Sequence, residues 1–481
     1  MITALTEYQQ LTTGYAHQEQ DYLRSRNMRH FALFWEMGTG KSKTVIDTAG
    51  HLYCRQEIDG VLLVSDKGAY LNMIPEFEKH LHPMVPRRIA YWSSQMGRQE
   101  EAEVSKLHRA QDNMLDILLL NVEALSSERA RQFAARFILS HYCLMIVDEA
   151  TSIKNPKAER TKVATHLGKS CEYRRIMTGT PVTQGPLDLY SMCDFLYSGL
   201  LGFTSFTAFR ACYAQMIMMV MGTRTFPKIT GYRRLDELTK SLEPFSSRRL
   251  KSECLDLPDK LYEVRHVELT HQQRQAYDDL KQTAVVQLLQ GLLTSTSALT
   301  TVNKLQQICC GHVSLDDKTR VNIESNRVLE LLRIIEEIGH KKVIIWCAFQ
   351  RDVELIIEAL EKLPMPHYPV TYYGKTKDAD RLCAIDSFIN DSNCLWFVGT
   401  AATGGKSLTL TVASHVIYYS NSYSLEDRLQ SEDRAHRIGQ GKNVTYIDLV
   451  ARGTVDERVL KSLKMKEDLS HEILDKLRDL I

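Results

Sequence analysis

A run of residues that could hold phosphates lies near the amino end of the chain, where Gly38-Thr39-Gly40-Lys41-Ser42-Lys43 follows the apolar segment His30 to Phe34. Glycine permits the backbone angles of a tight loop and lets several N–H groups point inward. A helix that begins after the loop would add a partial positive charge, and Lys41 adds a full one. The Ser42 hydroxyl could bind a magnesium ion. The pattern therefore indicates a site for two or more linked phosphates.

A second Gly-Lys-Ser run, Thr403 to Ser407, also follows an apolar segment, so glycine and lysine alone do not identify the site. Carboxylates distinguish the two runs, because Asp148 and Glu149 end the apolar segment Leu144 to Val147. An acid at the carboxyl end of a buried parallel strand lies where such sheets bind ligands. One carboxylate could order magnesium and the other could polarise an attacking water. No comparable acidic segment follows Lys406, so the first run is the predicted nucleotide site.

Two arginines could supply further positive charge to a phosphate. Arg434 and Arg437 are three residues apart within Gln430 to Gln440, a spacing that predicts one shared helical face. The planar arginine fork matches a phosphate and could stabilise charge that develops during phosphoryl transfer. The alternative is a charged helix face paired with Glu432 and Asp433, and the residues of this segment alone favour that alternative.

The elements that must position these residues fall into two regions of alternating strands and helices. Continuous apolar segments separated by helical segments favour parallel sheets covered on both faces. The predicted fold class is therefore α/β, with two doubly wound parallel-sheet domains and a helical insertion between them. The predicted domains are 1–195 and 325–481, and the insertion is 196–324, where Val285 to Gln290 and Val302 to Ile308 have amphipathic helical spacing.

A basic strip lies within the insertion. Arg224 to Lys251 contains eight Lys or Arg residues against three Asp or Glu, with aromatic residues between them. Two interpretations remain open: the strip is a solvated helical surface, or it contacts the backbone of a nucleic-acid duplex.

The whole-chain composition excludes some classes of protein. The 481 residues carry a net charge of only +1, so no global field draws the protein to nucleic acid. No apolar run approaches the roughly 18 residues that span a bilayer, and the first residues lack the basic and apolar blocks of a signal peptide. The 11 scattered cysteines are predicted to be reduced thiols of a cytoplasmic protein.

Five segments together resemble the Swi/Snf family of superfamily 2 helicase-like ATPases. The Asp-Arg-x-His-Arg-Ile-Gly-Gln string that ends at Gln440 is the most specific of the matches. The chain departs from the family pattern at Trp35, Ser407 and Thr409. The segments are motif I at Glu36 to Ser42, motif II at Asp148 to Thr151, motif III at Thr178 to Pro181, motif V at Gly404 and Gly405 with Leu408 and Leu410, and motif VI at Gln430 to Gln440.

The resemblance implies two RecA-like domains that close on ATP and Mg²⁺ and step along double-stranded DNA. Compact members of this kind occur in bacteriophages and prophages, which implies the cytoplasm of a bacterial host cell. The resemblance implies nothing about protein partners or oligomeric state. It assigns phosphate binding to Gly38, Thr39, Gly40, Lys41, Ser42 and Lys43, and magnesium binding to Ser42 and Asp148. It assigns water activation to Glu149, charge stabilisation from the second domain to Arg434 and Arg437, coupling to Thr178 and Thr180, and adenine recognition to Gln18.

Alternative functions remain at this point. The chain could be a DNA or RNA helicase that separates strands, because the separating element is a small wedge rather than a motif. It could also remodel protein–DNA complexes. A non-catalytic DNA-bound scaffold is disfavoured by the two carboxylates and two arginines, and a small-molecule phosphotransferase would leave the second sheet domain unexplained.

Overall fold

The structure is a computed structural model that describes residues 7–66, 70–94, 96–109, 113–221, 224–289, 295–314, 319–363, 366–404 and 408–478. The chain divides into two compact units. The first unit contains the chain up to Met216, Ile229–Asp256 and the chain from Asp468, and the second contains Ile217–Lys228 and Leu257–Glu467. In the described part of the chain, no helix is long and apolar enough to cross a membrane.

The strands are numbered in chain order. They are β1 His30–Trp35, β2 Gly60–Ser65, β3 Arg87–Tyr91, β4 Leu115–Asn121, β5 Cys143–Asp148, β6 Tyr173–Met177, β7 Ala214–Met221, β8 Arg224–Tyr232, β9 Ser246–Arg249, β10 Lys260–Val267, β11 His312–Ser314, β12 Arg320–Asn322, β13 Val343–Cys347, β14 Tyr368–Tyr372, β15 Cys394–Thr400, β16 His415–Tyr418 and β17 Val444–Ala451.

The α-helices are numbered in the same way. They are α1 Ala16–Ser25, α2 Lys41–Cys54, α3 Met73–His80, α4 Arg98–Ser105, α5 Glu128–Leu139, α6 Glu159–Gly168, α7 Leu189–Leu196, α8 Phe206–Tyr213, α9 Leu235–Leu242, α10 Lys251–Cys254, α11 His271–Leu289, α12 Ser295–Cys310, α13 Asn326–Ile338, α14 Gln350–Leu360, α15 Asp378–Asn390, α16 Ala401–Gly404, α17 Leu425–Glu432 and α18 Val455–Arg478.

The first unit is built on a seven-stranded sheet in the order β3-β4-β2-β5-β6-β1-β9. Neighbouring strands pair in parallel throughout. The inner strands are apolar on both faces, as in Val61–Val64 of β2, because helices cover the sheet on both sides. Parallel strands end at one edge, so the loops after β1, β5 and β6 meet there.

The second unit is built on a six-stranded parallel sheet in the order β10-β17-β16-β13-β15-β14. Its central strands are again buried on both faces, and the side chains of Ile344, Ile345 and Trp346 in β13 are fully buried. The two parallel sheets with helices on their faces confirm the predicted α/β class.

The segment 196–324 differs from the predicted helical insertion, because it gives one strand to each main sheet. Strand β9 pairs with β1 in the first unit, and β10 pairs with β17 in the second. The four residues of β9 are Ser-Ser-Arg-Arg, so no apolar run marks this strand in the sequence. It is a strand because its backbone pairs with β1. The helical predictions within the segment lie in α11 and α12, apart from Gln290, which lies outside the described residues.

Candidate nucleotide-binding site

The loop between β1 and α2 requires glycine at two positions. Gly38 has φ +77° and Gly40 has φ +86°, both in the left-handed region that disfavours side chains. A Cβ atom on Gly40 would also lie 1.9 Å from Nε2 of Gln18, so the Gln18 side chain would have to move away from the loop. The loop therefore has the shape that the glycine spacing predicts.

Lys41 is buried within this loop. Its Nζ donates hydrogen bonds to the backbone oxygens of Trp35 at 2.9 Å and Glu36 at 3.2 Å. The Thr39 hydroxyl donates to the same Glu36 oxygen at 2.7 Å. Lys41 also begins α2, whose first N–H groups have no partner within the helix. Positive charge and the first N–H groups of α2 therefore lie together, which is the arrangement that binds an anion.

Asp148 lies at the end of β5 and belongs to the same site as Lys41. Its carboxylate accepts hydrogen bonds from the backbone N–H of Glu149 at 3.0 Å and from the Ser65 hydroxyl at 3.2 Å. Burial raises the pKa of the Asp148 carboxyl, and the positive charge of Lys41 opposes that rise. The structure thus brings together the lysine and the acid that the sequence singled out.

Glu149 has a backbone conformation that is uncommon for a residue with a side chain. Its φ is +47°, and such strain persists where the surrounding structure fixes it. The Thr178 hydroxyl donates to Oε2 of Glu149 at 3.4 Å, and the backbone N–H of Thr180 donates to the Thr178 hydroxyl at 3.2 Å. Glu149 therefore contacts the loop after β6, which carries the motif III residues.

Gln18 packs against the glycine loop from α1. Its Nε2 donates to the backbone oxygen of Gly40 at 3.1 Å, while its Oε1 accepts from the backbone N–H of Tyr15 at 2.8 Å. The neighbouring His17 has Nε2 at 2.8 Å from the backbone oxygen of Thr39. Both residues therefore support the loop, and adenine recognition by Gln18 stays a prediction.

Lys43 does not join Lys41 in the loop. Its ammonium forms a buried ion pair with Asp47 at 2.6 Å and donates to Oε1 of Gln10 at 2.5 Å. Asp47 lies four residues later on α2, where helical geometry places it beside Lys43, and it also accepts from the Tyr8 hydroxyl at 3.0 Å. The ammonium of Lys43 is thus held by Asp47 and Gln10, outside the glycine loop.

The oxygen donors of the site fit a magnesium ion. The Ser42 hydroxyl lies in the first turn of α2, and Asp148 offers a carboxylate. Magnesium takes oxygen ligands and is usually held by one or two carboxylates with phosphate oxygens and water. Among the described residues no three His, Cys, Asp or Glu side chains group as metal ligands.

The prediction that Arg434 and Arg437 share one helical face is wrong. Helix α17 ends at Glu432, and both arginines lie in the turns that follow. The buried Arg434 side chain donates to the backbone oxygen of Gln430 at 2.8 Å, the oxygen that a continuing helix would use. Its own N–H bonds instead to the oxygen of Ser431 at 3.3 Å. The arginine side chain thus replaces the next helical hydrogen bond.

The two arginines also differ in exposure. Arg434 is 7% exposed and its Nη1 donates to the backbone oxygen of Leu408 at 3.0 Å. Arg437 is only half-buried, and its Nη1 donates to the Thr409 hydroxyl at 3.0 Å. Arg434 therefore stabilises the fold of the second unit, whereas Arg437 has the more accessible guanidinium.

A buried charge network holds this end of α17. Glu432 accepts hydrogen bonds from Lys260 at 3.0 Å and Arg428 at 2.7 Å, and Arg428 also pairs with Asp448 at 2.5 Å. Burial alone would raise the pKa of Glu432, but the Lys260 ammonium and the Arg428 guanidinium lower it to about 2. The network thus holds Glu432, the last residue of α17, from which the segment that carries Arg437 continues.

In the second Gly-Lys-Ser run, Gly405, Lys406 and Ser407 lie outside the described residues. Gly404 ends α16, and a Cβ atom on it would lie 2.5 Å from the indole ring of Trp346. The following Leu408 and Leu410 are buried in the core of the second unit.

Comparison with models of known protein families identifies the family of this chain. The family model of the SNF2-related domain matches residues 19–314, which is more than half of the chain. The chain belongs to the SNF2 family. A second model, the helicase conserved C-terminal domain, matches residues 326–439 and therefore includes Arg434 and Arg437.

Relatives of this SNF2-family chain are much longer than it is. An uncharacterized ATP-dependent helicase of Mycoplasma pneumoniae is 27% identical over 98% of this chain and 42% of its own length. The DNA excision repair protein CSB of Oryza sativa is 28% identical over 80% of this chain and 33% of its own length. The chain thus spans less than half of these curated relatives.

Among solved structures, the Sulfolobus solfataricus SWI2/SNF2 ATPase core in complex with dsDNA is 23% identical. The match covers 98% of this chain and 95% of that one, but its TM-score of 0.43 is too low to support a conclusion about this SNF2-family chain.

The basic strip of this SNF2-family chain is not one continuous surface. Arg248 and Lys251 are buried against the glycine loop, and Arg249 pairs with Asp21 of α1 at 2.8 Å. This part of the strip therefore does not form a duplex contact, and the sequence missed its role at the nucleotide site. Nothing in the spacing of the Arg-Arg-Leu-Lys run distinguishes packing against the loop from contact with a phosphate backbone.

Proposed function

We propose that this protein hydrolyses ATP to ADP and phosphate in the presence of Mg²⁺ and uses the energy to move along double-stranded DNA. One observation carries the proposal: Lys41, Asp148 and Glu149 come together at the carboxyl edge of one parallel sheet. Membership of the SNF2 family, and a relative named ATP-dependent helicase, support the choice of ATP as substrate.

The residues of the first unit take separate roles in this proposal. A bound phosphate would compete with the oxygens of Trp35 and Glu36 for the Lys41 ammonium, so Lys41 is placed to exchange loop contacts for phosphate contacts. Ser42 and Asp148 would hold Mg²⁺, which neutralises charge on the phosphates. The Glu149 carboxylate would take a proton from the attacking water.

The second unit contributes positive charge in the proposal. Arg437 would stabilise the charge that develops on the transferred phosphoryl group, since its guanidinium is permanently charged and only half-buried. We assign Arg434 to holding the Gln430 and Leu408 carbonyls, which places Arg437 indirectly.

Duplex DNA is the proposed track. The motif VI string resembles that of DNA-translocating members, and a relative is named as a DNA excision repair protein. We further propose that the protein acts in the cytoplasm of a bacterial cell. A phage-encoded origin stays a prediction, and the relatives named above are mycoplasmal and plant proteins.

The first experiment measures ATP hydrolysis without nucleic acid and with duplex DNA, single-stranded DNA or RNA. Strong stimulation by duplex DNA is expected, and Lys41→Ala is the matched inactive control. Stimulation by RNA alone, or hydrolysis that persists in Lys41→Ala, would contradict the proposal.

A strand-separating helicase is the second candidate, because the mycoplasmal relative is named a helicase. The two functions differ in what happens to a duplex that carries a third strand. Removal of the third strand by ATP, with the duplex left paired, supports translocation. Efficient unwinding of a blunt duplex supports strand separation instead.

A further inference from the structure

Arg248 of β9 contacts two loops of the candidate nucleotide site in the first unit. Its Nη1 donates to the backbone oxygen of Phe34 at 2.8 Å and to that of Gly179 at 3.3 Å. Its Nη2 lies 3.5 Å from Oε1 of Glu36. The side chain is only 3% exposed, so these contacts are formed in the interior.

The Glu36 contact connects Arg248 to the glycine loop. The other carboxylate oxygen of Glu36 accepts a hydrogen bond from the backbone N–H of Lys251 at 2.8 Å. Arg248 of β9 and Lys251 of α10 thus each contact one oxygen of the Glu36 carboxylate. The backbone oxygen of Glu36 in turn accepts from Lys41 and Thr39. Movement of Lys41 towards a phosphate would therefore change the loop that Arg248 holds.

The Gly179 contact connects Arg248 to the opposite loop. Gly179 lies between Thr178, whose hydroxyl donates to Glu149, and Thr180, whose N–H donates to Thr178. A Cβ atom on Gly179 would lie 3.2 Å from the backbone nitrogen of Met37, so the two loops are also closely packed. The phosphate-binding lysine and the water-activating acid of the proposal are thus joined through one guanidinium.

We propose that Arg248 is a positioning residue that couples the glycine loop to the Thr178–Thr180 loop, so that phosphate binding and the placement of Glu149 change together. The inference rests on the proposed function, which gives Lys41 and Glu149 their roles. Arginine suits this task because its fork donates in several fixed directions at once. Its neighbours have other partners: Ser247 accepts from the Trp35 indole at 2.7 Å, and Arg249 pairs with Asp21.

The first test needs no nucleotide and no catalytic activity. Hydrogen exchange of the intact protein is compared between wild type, Arg248→Gln and the control Ser247→Ala, which alters the same strand. The expected result is faster exchange at both Glu36–Gly40 and Thr178–Thr180 in Arg248→Gln, and no change at Thr178–Thr180 in the control. Unchanged exchange at Thr180 in Arg248→Gln would overturn the inference.

The second test measures coupling directly with a double-mutant cycle in kcat. Residues that act together give non-additive effects, here expected to be at least about threefold, between Arg248→Gln and Thr178→Val. Ser247→Ala combined with Thr178→Val should give the product of the single effects. Multiplicative effects for both pairs would contradict the coupling. A wild-type protein without ATPase activity would instead contradict the proposed function, and the exchange test would then decide the inference. Thermal unfolding checks that each variant folds.

Discussion

Lys41 is the side chain on which nucleotide binding should depend most. We expect Lys41→Ala to abolish ATP hydrolysis, because the loop loses the ammonium whose charge acts on Asp148 in the structure. Lys406→Ala, in the second Gly-Lys-Ser run, should leave nucleotide binding largely intact. Titration with a fluorescent ATP analogue and a turnover assay measure the two effects. Loss of binding in Lys406→Ala, with binding retained in Lys41→Ala, would reverse the assignment.

Glu149 should affect turnover far more than binding. Glu149→Gln keeps the shape and the contact with Thr178 but removes the charge that polarises water. We therefore expect ATP to bind with near wild-type affinity and to be hydrolysed very slowly. Single-turnover kinetics with saturating enzyme separates the two steps, and near-normal turnover would place the water-activating group elsewhere.

Arg437 and Arg434 should behave differently, although the sequence treats them alike. Arg437→Ala should slow hydrolysis by a factor on the order of 10³–10⁵, as for other phosphoryl-transfer arginines, and barely change stability. Arg434→Ala should instead lower the unfolding temperature, because the backbone oxygens of Gln430 and Leu408 each lose a hydrogen bond from the buried guanidinium. Thermal melts beside kcat at saturating ATP compare the two, and an unchanged kcat in Arg437→Ala would reduce that residue to a structural role.

At the scale of elements, the sequence predicts what a local pattern encodes. Strand β1, its glycine turn and α2 are contiguous, and so are β5 and its two acids, so the apolar runs and turn residues identify them. The pairing of β9 with β1 is not local. Its polar residues become a strand only because β1 offers an open edge, and no periodicity reports that. The prediction that the helix continues through Arg434 and Arg437 is wrong for a similar reason. The end of α17 depends on the hydrogen bond from the Arg434 side chain to the Gln430 oxygen, which no local pattern predicts.

The charge network of α17 gives a prediction for pH. Glu432 titrates at about 2 in the folded chain against a usual value of 4.5. A lowered folded pKa stabilises the protein above the unfolded value, and this contribution is lost as the pH falls from about 4.5 towards 2. Its size is on the order of 3 kcal/mol. The stability gap between wild type and Glu432→Gln should therefore be largest near neutral pH and shrink in acid.

Urea unfolding followed by circular dichroism at several pH values measures that gap. Glu426→Gln provides a matched control, because Glu426 lies on the same helix but is only half-buried. A gap of constant size from pH 7 to pH 3 would show that the Glu432 charge does not stabilise the second unit.

At the scale of the whole molecule, the charge balance constrains how DNA can be bound. The net charge is only +1, so attraction to the duplex must come from local contacts with phosphates. Such contacts release counterions and carry no base information. DNA stimulation of ATP hydrolysis should therefore fall steeply with salt and hardly vary with sequence. Half-stimulating concentrations of several unrelated duplexes across a salt series test this, and a strong preference for one sequence would contradict it.

The pairing of β1 with β9 has a consequence for synthesis on the ribosome. The indole of Trp35 meets its partner Ser247 from 212 residues further along the chain. At about 5–20 residues per second, the nascent chain holds β1 without its edge partner for roughly 10–40 s. An apolar strand with an open edge can pair with another chain during that interval. A nascent chain stalled or cut near residue 195 never closes that edge, so chaperones that shield β1 should matter most before β9 emerges.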